Sequence, residues 1–425
     1  MRNTKKGLWT LVLVVAMLVV AMGTAGAETL NLAEAMEPGI AQAVKSALGT
    51  EEDEVSADAL AGLTELSVRA AELTSLRGIE HMPNLTILDL FDNETLTDFS
   101  GMEALTNLEE LDASWTHPKD LTPLAGLTAL KKLELNYAGV SDISVLSGMT
   151  DMRYLRIENN EGISDISIVA GMTELERLDA ANTSVEDLTP LLRLRGLKRL
   201  SIGGYVQLQD PAQLSALAGL EELSMTDMAI GNFSMLAGMR DMKSLYVNRC
   251  SASDISALSG MTNLETLMLS NSLVADLSPL SGLTNLKMLY LTHTPVTDLT
   301  HIAGLTNLIV LDLDGTQVFD LTPISGLTAL WTLYMEMTPV TDLAPLESMW
   351  ELSRLRAANS AIKSIEPLKN LWQLTDVDIS CTDVDDVSHL TGHWLLEYLD
   401  VTETKITQEQ LDELQKTCVL LQVTQ

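Results

Sequence analysis

The chain has 425 residues, 46% of them hydrophobic, and a formal net charge of −33. Its length allows a large buried core. The charge excludes nucleic acid, whose recognition needs a basic footprint, argues against anionic membrane surfaces, and favours solubility and basic partners.

The chain opens with MRNTKKGLWTLVLVVAMLVVAMGTAGAETL. Basic residues precede an apolar run from Leu8 to Met22, and Ala25-Gly26-Ala27 supplies a small-x-small cleavage signature. The run falls short of the roughly 20 residues that cross a bilayer. Residues 1–27 are therefore read as a secretory signal peptide, with no membrane insertion after cleavage. Residues 28–62 follow as an N-terminal cap, in which Ile40, Ala41, Val44, Ala47 and Leu48 form a helical stripe ended by Gly49.

From Leu63 onward one frame recurs. Sixteen copies of an LxxLxL-type unit begin at 63, 85, 108, 130, 152, 175, 197, 220, 242, 264, 286, 308, 330, 352, 374 and 396. The period is 22 residues, stretched to 23 in the copies that start at 85, 152 and 197, where segments such as NNEGISD and GGYVQLQD read as surface bulges. Within a unit, Leu286, Leu289 and Leu291 show the alternation of a short strand with one buried face. A small polar residue at position nine, such as Asn93, Asn160, Cys250 or Thr294, is expected to bond the backbone where the chain leaves the strand. Then come Val/Ile-x-Asp-Leu/Ile and often Ser/Thr-Pro, read as an N-cap with Pro at the first position of a one- or two-turn helical or 3-10 segment. No unit can bury its leucines alone, so the units must stack. The array runs over 63–395. Residues 396–425 hold the last repeat and a C-terminal cap, with a capping box at Thr407 and Gln410, the helix QEQLDELQK, and CVLLQV closing the sheet edge.

This pattern resembles the leucine-rich repeat family, and its 22-residue unit with Val/Ile-x-Asp-Leu/Ile resembles the bacterial internalin-type subclass. The resemblance covers residues 63 to about 406 and extends to both caps. It implies an α/β solenoid: a right-handed leucine-rich-repeat superhelix with a concave parallel β-sheet of about 16 strands and a convex side of short 3-10 or helical turns and loops. A helical cap would close the N-terminal end, and a helix-strand cap the C-terminal end. By the same resemblance the chain is an adhesion or recognition protein, secreted or retained at the cell surface.

Three features could carry chemistry. An Asp follows Val/Ile-x in twelve copies, from Asp98 and Asp120 to Asp342 and Asp386. Stacking would align them, either as a Ca²⁺ ladder or, with one Asp per turn, as local caps. The second reading is favoured, and no metal is expected. His389 and His393 lie four apart near Asp385 and Asp386, but Gly392 interrupts the segment, so no zinc site is expected there. Cys250, Cys381 and Cys418 do not form a disulfide framework. With no nucleophile elbow, phosphate-binding glycine loop or HExxH motif, no enzyme and no cofactor are read.

The strand faces are more informative. Positions three, five and seven point onto the concave surface. There Tyr246, Met268, Tyr290 and Tyr334 fall in one file at position five, with Asp312 in the same file and Met288 and Val310 beside it at position three. Exposed aromatic and Met side chains on a rigid face are the stuff of binding hot spots. Acidic positions such as Glu110, Asp112, Asp312, Glu336 and Asp378 would select a protein or peptide with a basic surface. Trp350, Trp372 and Trp394 recur at position twenty-one, where an aromatic ladder would suit a glycan or stiffen the C-terminal end by packing.

Overall fold

The structure is a computed structural model that describes residues 28–425 apart from Val206. The proposed signal peptide, 1–27, lies outside the described residues. Seventeen three-residue strands, from Glu65–Ser67 to Gln422–Thr424, form one parallel sheet in which each strand pairs with the next repeat's strand. The register is strict: Leu289 sits between Leu267 and Leu311. The seventeenth strand comes from the C-terminal cap, which adds one to the sixteen repeat strands. No pair joins the first strand to the last among the described residues, so the array is an open solenoid with two edges.

Its core is a continuous column. Leu286, Leu289, Leu291 and Val296 are fully buried, and the same positions are buried in repeat after repeat. A two-residue alternation held in phase by a fixed period leaves the chain one register, because a one-residue slip would turn every leucine out to solvent. Among the described residues the convex side carries fifteen 3-10 turns, such as Thr122–Leu124 and Ser278–Leu280. Among the described residues no helix is long and apolar enough to cross a membrane.

Both edges are capped. At the N-terminal end the helix Pro38–Leu48 buries Ile40, Ala41 and Val44 and stops at Gly49 in the left-handed region. The acidic loop after it folds into a strand, Glu54–Ser56, antiparallel to Thr29–Asn31, a hairpin that sequence periodicity does not reveal. At the C-terminal end Thr407 and Gln410 form the expected capping box on the helix Gln408–Gln415. Covering both edges removes the unpaired strand groups that invite aggregation.

Two turn assignments change. Ser or Thr before Pro does not cap the 3-10 turn but begins it. The cap is the Asp two residues earlier, as where Asp120 Oδ1 accepts the Thr122 N–H at 2.8 Å. The left-handed residue that turns the chain out of the strand stands at position eight, one before the buried polar residue. Ala70, Asp92, Trp115, Tyr137, Asn159 and Asn182 begin that series, which runs to Glu403. Backbone stacking imposes the conformation whatever the residue, at a cost on the order of 1 kcal/mol for a bulky side chain.

Position nine then works as expected. Asn160 donates through Nδ2 to the Leu135 and Ile157 carbonyls at 2.8 and 2.9 Å and accepts the Val140 N–H at 3.0 Å, tying one repeat to the next. Thr294 makes the smaller version, donating to the Leu291 carbonyl at 2.6 Å. Cys250 substitutes its thiol, donating to Met225 O at 3.3 Å, and burial pushes that thiol up to about 11. Cys250 and Cys418 are buried, Cys381 is half-buried, and all three are free thiols.

Candidate functional site

The strand register brings the file at position five together. Tyr246 pairs with Met268, Met268 with Tyr290, Tyr290 with Asp312, and Asp312 with Tyr334. Met288 and Val310 are likewise neighbours at position three. All seven side chains are half-buried on one face of the sheet, while the leucines between them are fully buried. Tyr290 lies with its hydroxyl 4.0 Å from Met288 Sδ, and Asn248 Nδ2 is 3.7 Å from Met268 Sδ. Burial raises the Tyr290 phenol's pKa, so the ring stays neutral.

Beside this file lies a group of carboxylates that sequence periodicity ranks no higher than its other acids. Asp312 Oδ1 accepts the Asp314 N–H at 3.0 Å, and Asp314 Oδ1 accepts the Glu336 N–H at 2.7 Å. Burial raises Asp312 and Glu336. Burial and then the Asp312 charge push Asp314 up to about 7. None of the three forms an ion pair among the described residues. Two of the other expected acidic positions differ in this respect: Asp378 accepts from Arg356 at 3.1 Å, and Glu110, far along the sheet, lies 3.9 Å from Lys132. Asp112 is half-buried with its pKa raised by burial.

Much of the N-terminal half of the same face is held in ion pairs. Arg156 reaches Glu134 at 2.9 Å, Asp179 at 2.9 Å and Glu158 at 3.4 Å, while Arg177 also holds Asp179 at 2.7 Å. Burial alone would lower the Arg156 pKa, but Glu134, Asp179 and Glu158 outweigh it. Asp312, Asp314 and Glu336 therefore form a group of neighbouring concave-face carboxylates without an ion pair among the described residues.

The three tryptophans do not stack on one another. Trp350, Trp372 and Trp394 are all exposed, and Trp372 stacks on His393, centroids 4.8 Å apart. His393 is itself buried, each ring nitrogen near a backbone carbonyl (Leu390 O at 3.0 Å, Leu368 O at 3.2 Å), and burial lowers its pKa. His389 instead lies 3.6 Å from Asp386. The two histidines thus serve different neighbours, and no group of three or more His, Cys, Asp or Glu fit to hold a metal occurs among the described residues.

The Asp row resolves into local caps. In all twelve copies Asp Oδ1 accepts the N–H two residues on, as in Asp276 with Ser278 and Asp298 with Thr300, both at 2.8 Å. The Thr300 hydroxyl and N–H hold the Asp298 carboxyl below its usual range. Asn232 makes the same bond to Ser234 in a repeat without Asp. Removing divalent cations with EDTA is therefore expected to leave the melting temperature unchanged. Asp298→Ala should lower it slightly, and Asp298→Asn much less. Because the folded pKa is depressed, the Asp contribution is present above a pH of about 4 and is lost as acid protonates it. A drop of several degrees on EDTA treatment would restore the calcium reading.

One further aromatic pair lies off the strand faces. Trp115 and Tyr137 occupy position eight in the left-handed conformation, exposed, with rings stacked 4.2 Å apart at 17°. Aligning position eight would have shown them as the two aromatics in that column.

Residues 241–401 match the family model described as a leucine-rich repeat region. No curated protein matches the chain at a significant level. Among solved structures, an internalin (inlF) from Listeria monocytogenes is 24% identical, with 88% of this chain and 98% of that one covered and a TM-score of 0.59. A leucine-rich repeat protein from Leptospira interrogans is 17% identical over 87% of this chain and 97% of that one, with a TM-score of 0.69. The plant peptide hormone receptor RGFR1, in complex with RGF2, is 17% identical over 85% of this chain and 66% of that one, at 0.61. Identities at this level speak to the fold alone. From its sixteen in-phase units, its seventeen-strand sheet and these matches, the chain has a leucine-rich repeat fold, internalin-like in its solenoid architecture.

Proposed function

We propose that the chain is a non-catalytic recognition scaffold, exported to the cell surface or beyond, that binds a protein or peptide with a basic surface through its concave face. The observation that carries this reading is the file Tyr246, Met268, Tyr290, Asp312 and Tyr334 on a rigid sheet, beside acids that have no cation of their own. Asp312 lies between Tyr290 and Tyr334 in that file. A Lys or Arg side chain entering there would meet aromatic rings on two sides and carboxylates at its head, a combination of cation–π and charge-assisted contact. The structural neighbour solved with RGF2 is a receptor with the same type of array, which supports a binding role. Retention at the surface and a part in adhesion follow from the internalin likeness and belong to the same proposal.

The test is capture from cell-surface extracts by the chain lacking residues 1–27, compared with a variant carrying Tyr246→Ala, Tyr290→Ala and Tyr334→Ala. Proteins held by the parent and missing from the variant support the concave site, and identical captured sets refute it. A second reading, a glycan held by Trp350, Trp372 and Trp394, has in its favour that all three are exposed on one edge. Capture lost on Trp372→Ala but kept on Tyr290→Ala would reverse the ranking.

A further inference from the structure

Two of the three stretched repeats, those starting at 152 and 197, flank one cleft of about 900 Å³ on the edge where strands turn toward the convex side. This size suits a small ligand. Insertions in otherwise uniform arrays map to loops on one face, often the binding face. The first stretched repeat contributes Asn159 and Glu161, and the second contributes Tyr205.

Tyr205 stands at position nine, where most other repeats bury a small polar residue, yet it is 94% exposed. The preceding glycines permit this. A Cβ on Gly203 would lie 2.4 Å from Thr226 O, and Gly204 sits at φ +128 against Asn182. The repeat thus gives up a buried hydrogen-bonding position and projects a phenol ring instead. Across the cleft is Tyr137, braced from behind by its stack on Trp115. Both braced residues hold the left-handed conformation that bulky side chains avoid, and both remain exposed, so core packing does not explain them. At about 4.8 Å per repeat, three repeats separate Tyr137 from Gly204 by roughly 14 Å, room for a short chain of rings.

Between the two tyrosines the lining is amide and hydroxyl. Asn182 Nδ2 donates to Asn159 Oδ1 at 2.8 Å, and neither Asn159 Nδ2 nor Asn182 Oδ1 has a protein partner among the described residues. One donor and one acceptor therefore face the opening. Ser184 adds a hydroxyl oxygen beside them, and Glu161 is the sole charged residue of the lining. With no Lys, Arg or His in the lining, and Arg249 near Tyr205 already paired with Asp227, an anionic ligand has little counter-charge. A purely apolar ligand would strand the amides. Rings with apolar faces and polar rims fit both parts of the lining.

We propose that this cleft binds a neutral oligosaccharide, whose pyranose faces stack on Tyr137 and Tyr205 and whose hydroxyls bond Asn159 and Asn182. It lies off the concave face and stands apart from the protein-binding reading.

The experiment uses immobilised neutral tetrasaccharides of glucose, mannose, galactose and N-acetylglucosamine, with a sialylated tetrasaccharide and a lysine-rich hexapeptide as competitors. At least one neutral sugar is expected to be retained. Tyr137→Ala and Tyr205→Ala should each weaken it roughly tenfold or more, while Tyr290→Ala and Trp372→Ala bind as the parent does. Melting curves check folding. Asn182→Gln, which keeps an amide at an exposed position, provides a milder variant expected to weaken binding with only a small change in the melt. The proposal is overturned if no neutral sugar is retained, if the sialylated sugar or the peptide displaces it more tightly, or if binding survives in the Tyr137→Ala/Tyr205→Ala double variant.

Discussion

Asn93→Leu is expected to destabilise the N-terminal end of the solenoid by about 4 kcal/mol or more. Asn93 is fully buried and makes four backbone hydrogen bonds. Its Oδ1 accepts from the Ala71 and Leu73 N–H groups at 3.0 and 3.1 Å, and its Nδ2 donates to the Val68 and Leu90 carbonyls at 2.7 and 2.8 Å. Leucine fills nearly the same volume and satisfies none of the four. Each buried group left unpaired costs about 1–3 kcal/mol, against a total stability of about 5–15 kcal/mol for a typical domain. Repeats contact only their neighbours, so the loss should appear as early melting of the cap and first repeats while the rest holds. Urea unfolding followed by hydrogen exchange would show protection lost over residues 28–90 first. Thr294→Val is the control: it removes one hydrogen bond to Leu291 O and should cost only about 1 kcal/mol. Equal effects from the two variants would contradict the bridging role assigned to Asn93.

The second large effect is a pH dependence set by Asp314. Its carboxyl is pushed up from 3.8 to about 7, by burial first and by Asp312 and Glu336 after it. A raised carboxylate pKa means that the folded state holds a proton which the unfolded chain has already released. Between pH of about 4 and 7 the folded state therefore binds more protons, and stability falls as pH rises through that window. Asp314→Asn removes the penalty. It should raise the melting temperature most at pH 8 and less at pH 5, and flatten the profile between them. Binding has the opposite sign. A basic partner favours the ionised form, so affinity should rise as pH climbs through about 7 and fall toward pH 5 as protons return. In Asp314→Asn the affinity should be weaker at pH 8 and nearly independent of pH. A parent affinity that stays flat from pH 5 to 8 would remove Asp314 from the interface.

Much of this was legible in the residues because a repeat turns local alternation into a global register. Once Leu286, Leu289 and Leu291 are buried, Met288 and Tyr290 must face outward, and the fixed period sets Tyr290 between Met268 and Asp312. The caps were legible for the same reason: Thr407 with Gln410 and the stripe through Ile40 are local patterns with a mechanism. The left-handed turn at position eight was not, because stacked backbones impose it on residues as unlike as Ala70, Trp115 and Glu403. Nor was the rank of Asp314 among many acids. Its pKa depends on which carboxylates lack a cation, and that in turn depends on where Arg356 and Arg156 reach. The bulges were visible as extra residues, but what they enclose together with Tyr137 required the fold.

The concave-face reading is tested most directly by isothermal titration of a captured partner into the parent chain, Tyr290→Ala and Trp372→Ala. Tyr290 stands between Met268 and Asp312 in the file, and truncating a central hot-spot tyrosine costs about 2 kcal/mol or more. The expected result is a Kd weakened roughly thirtyfold by Tyr290→Ala, with Trp372→Ala unchanged. A Kd untouched by Tyr290→Ala would contradict it.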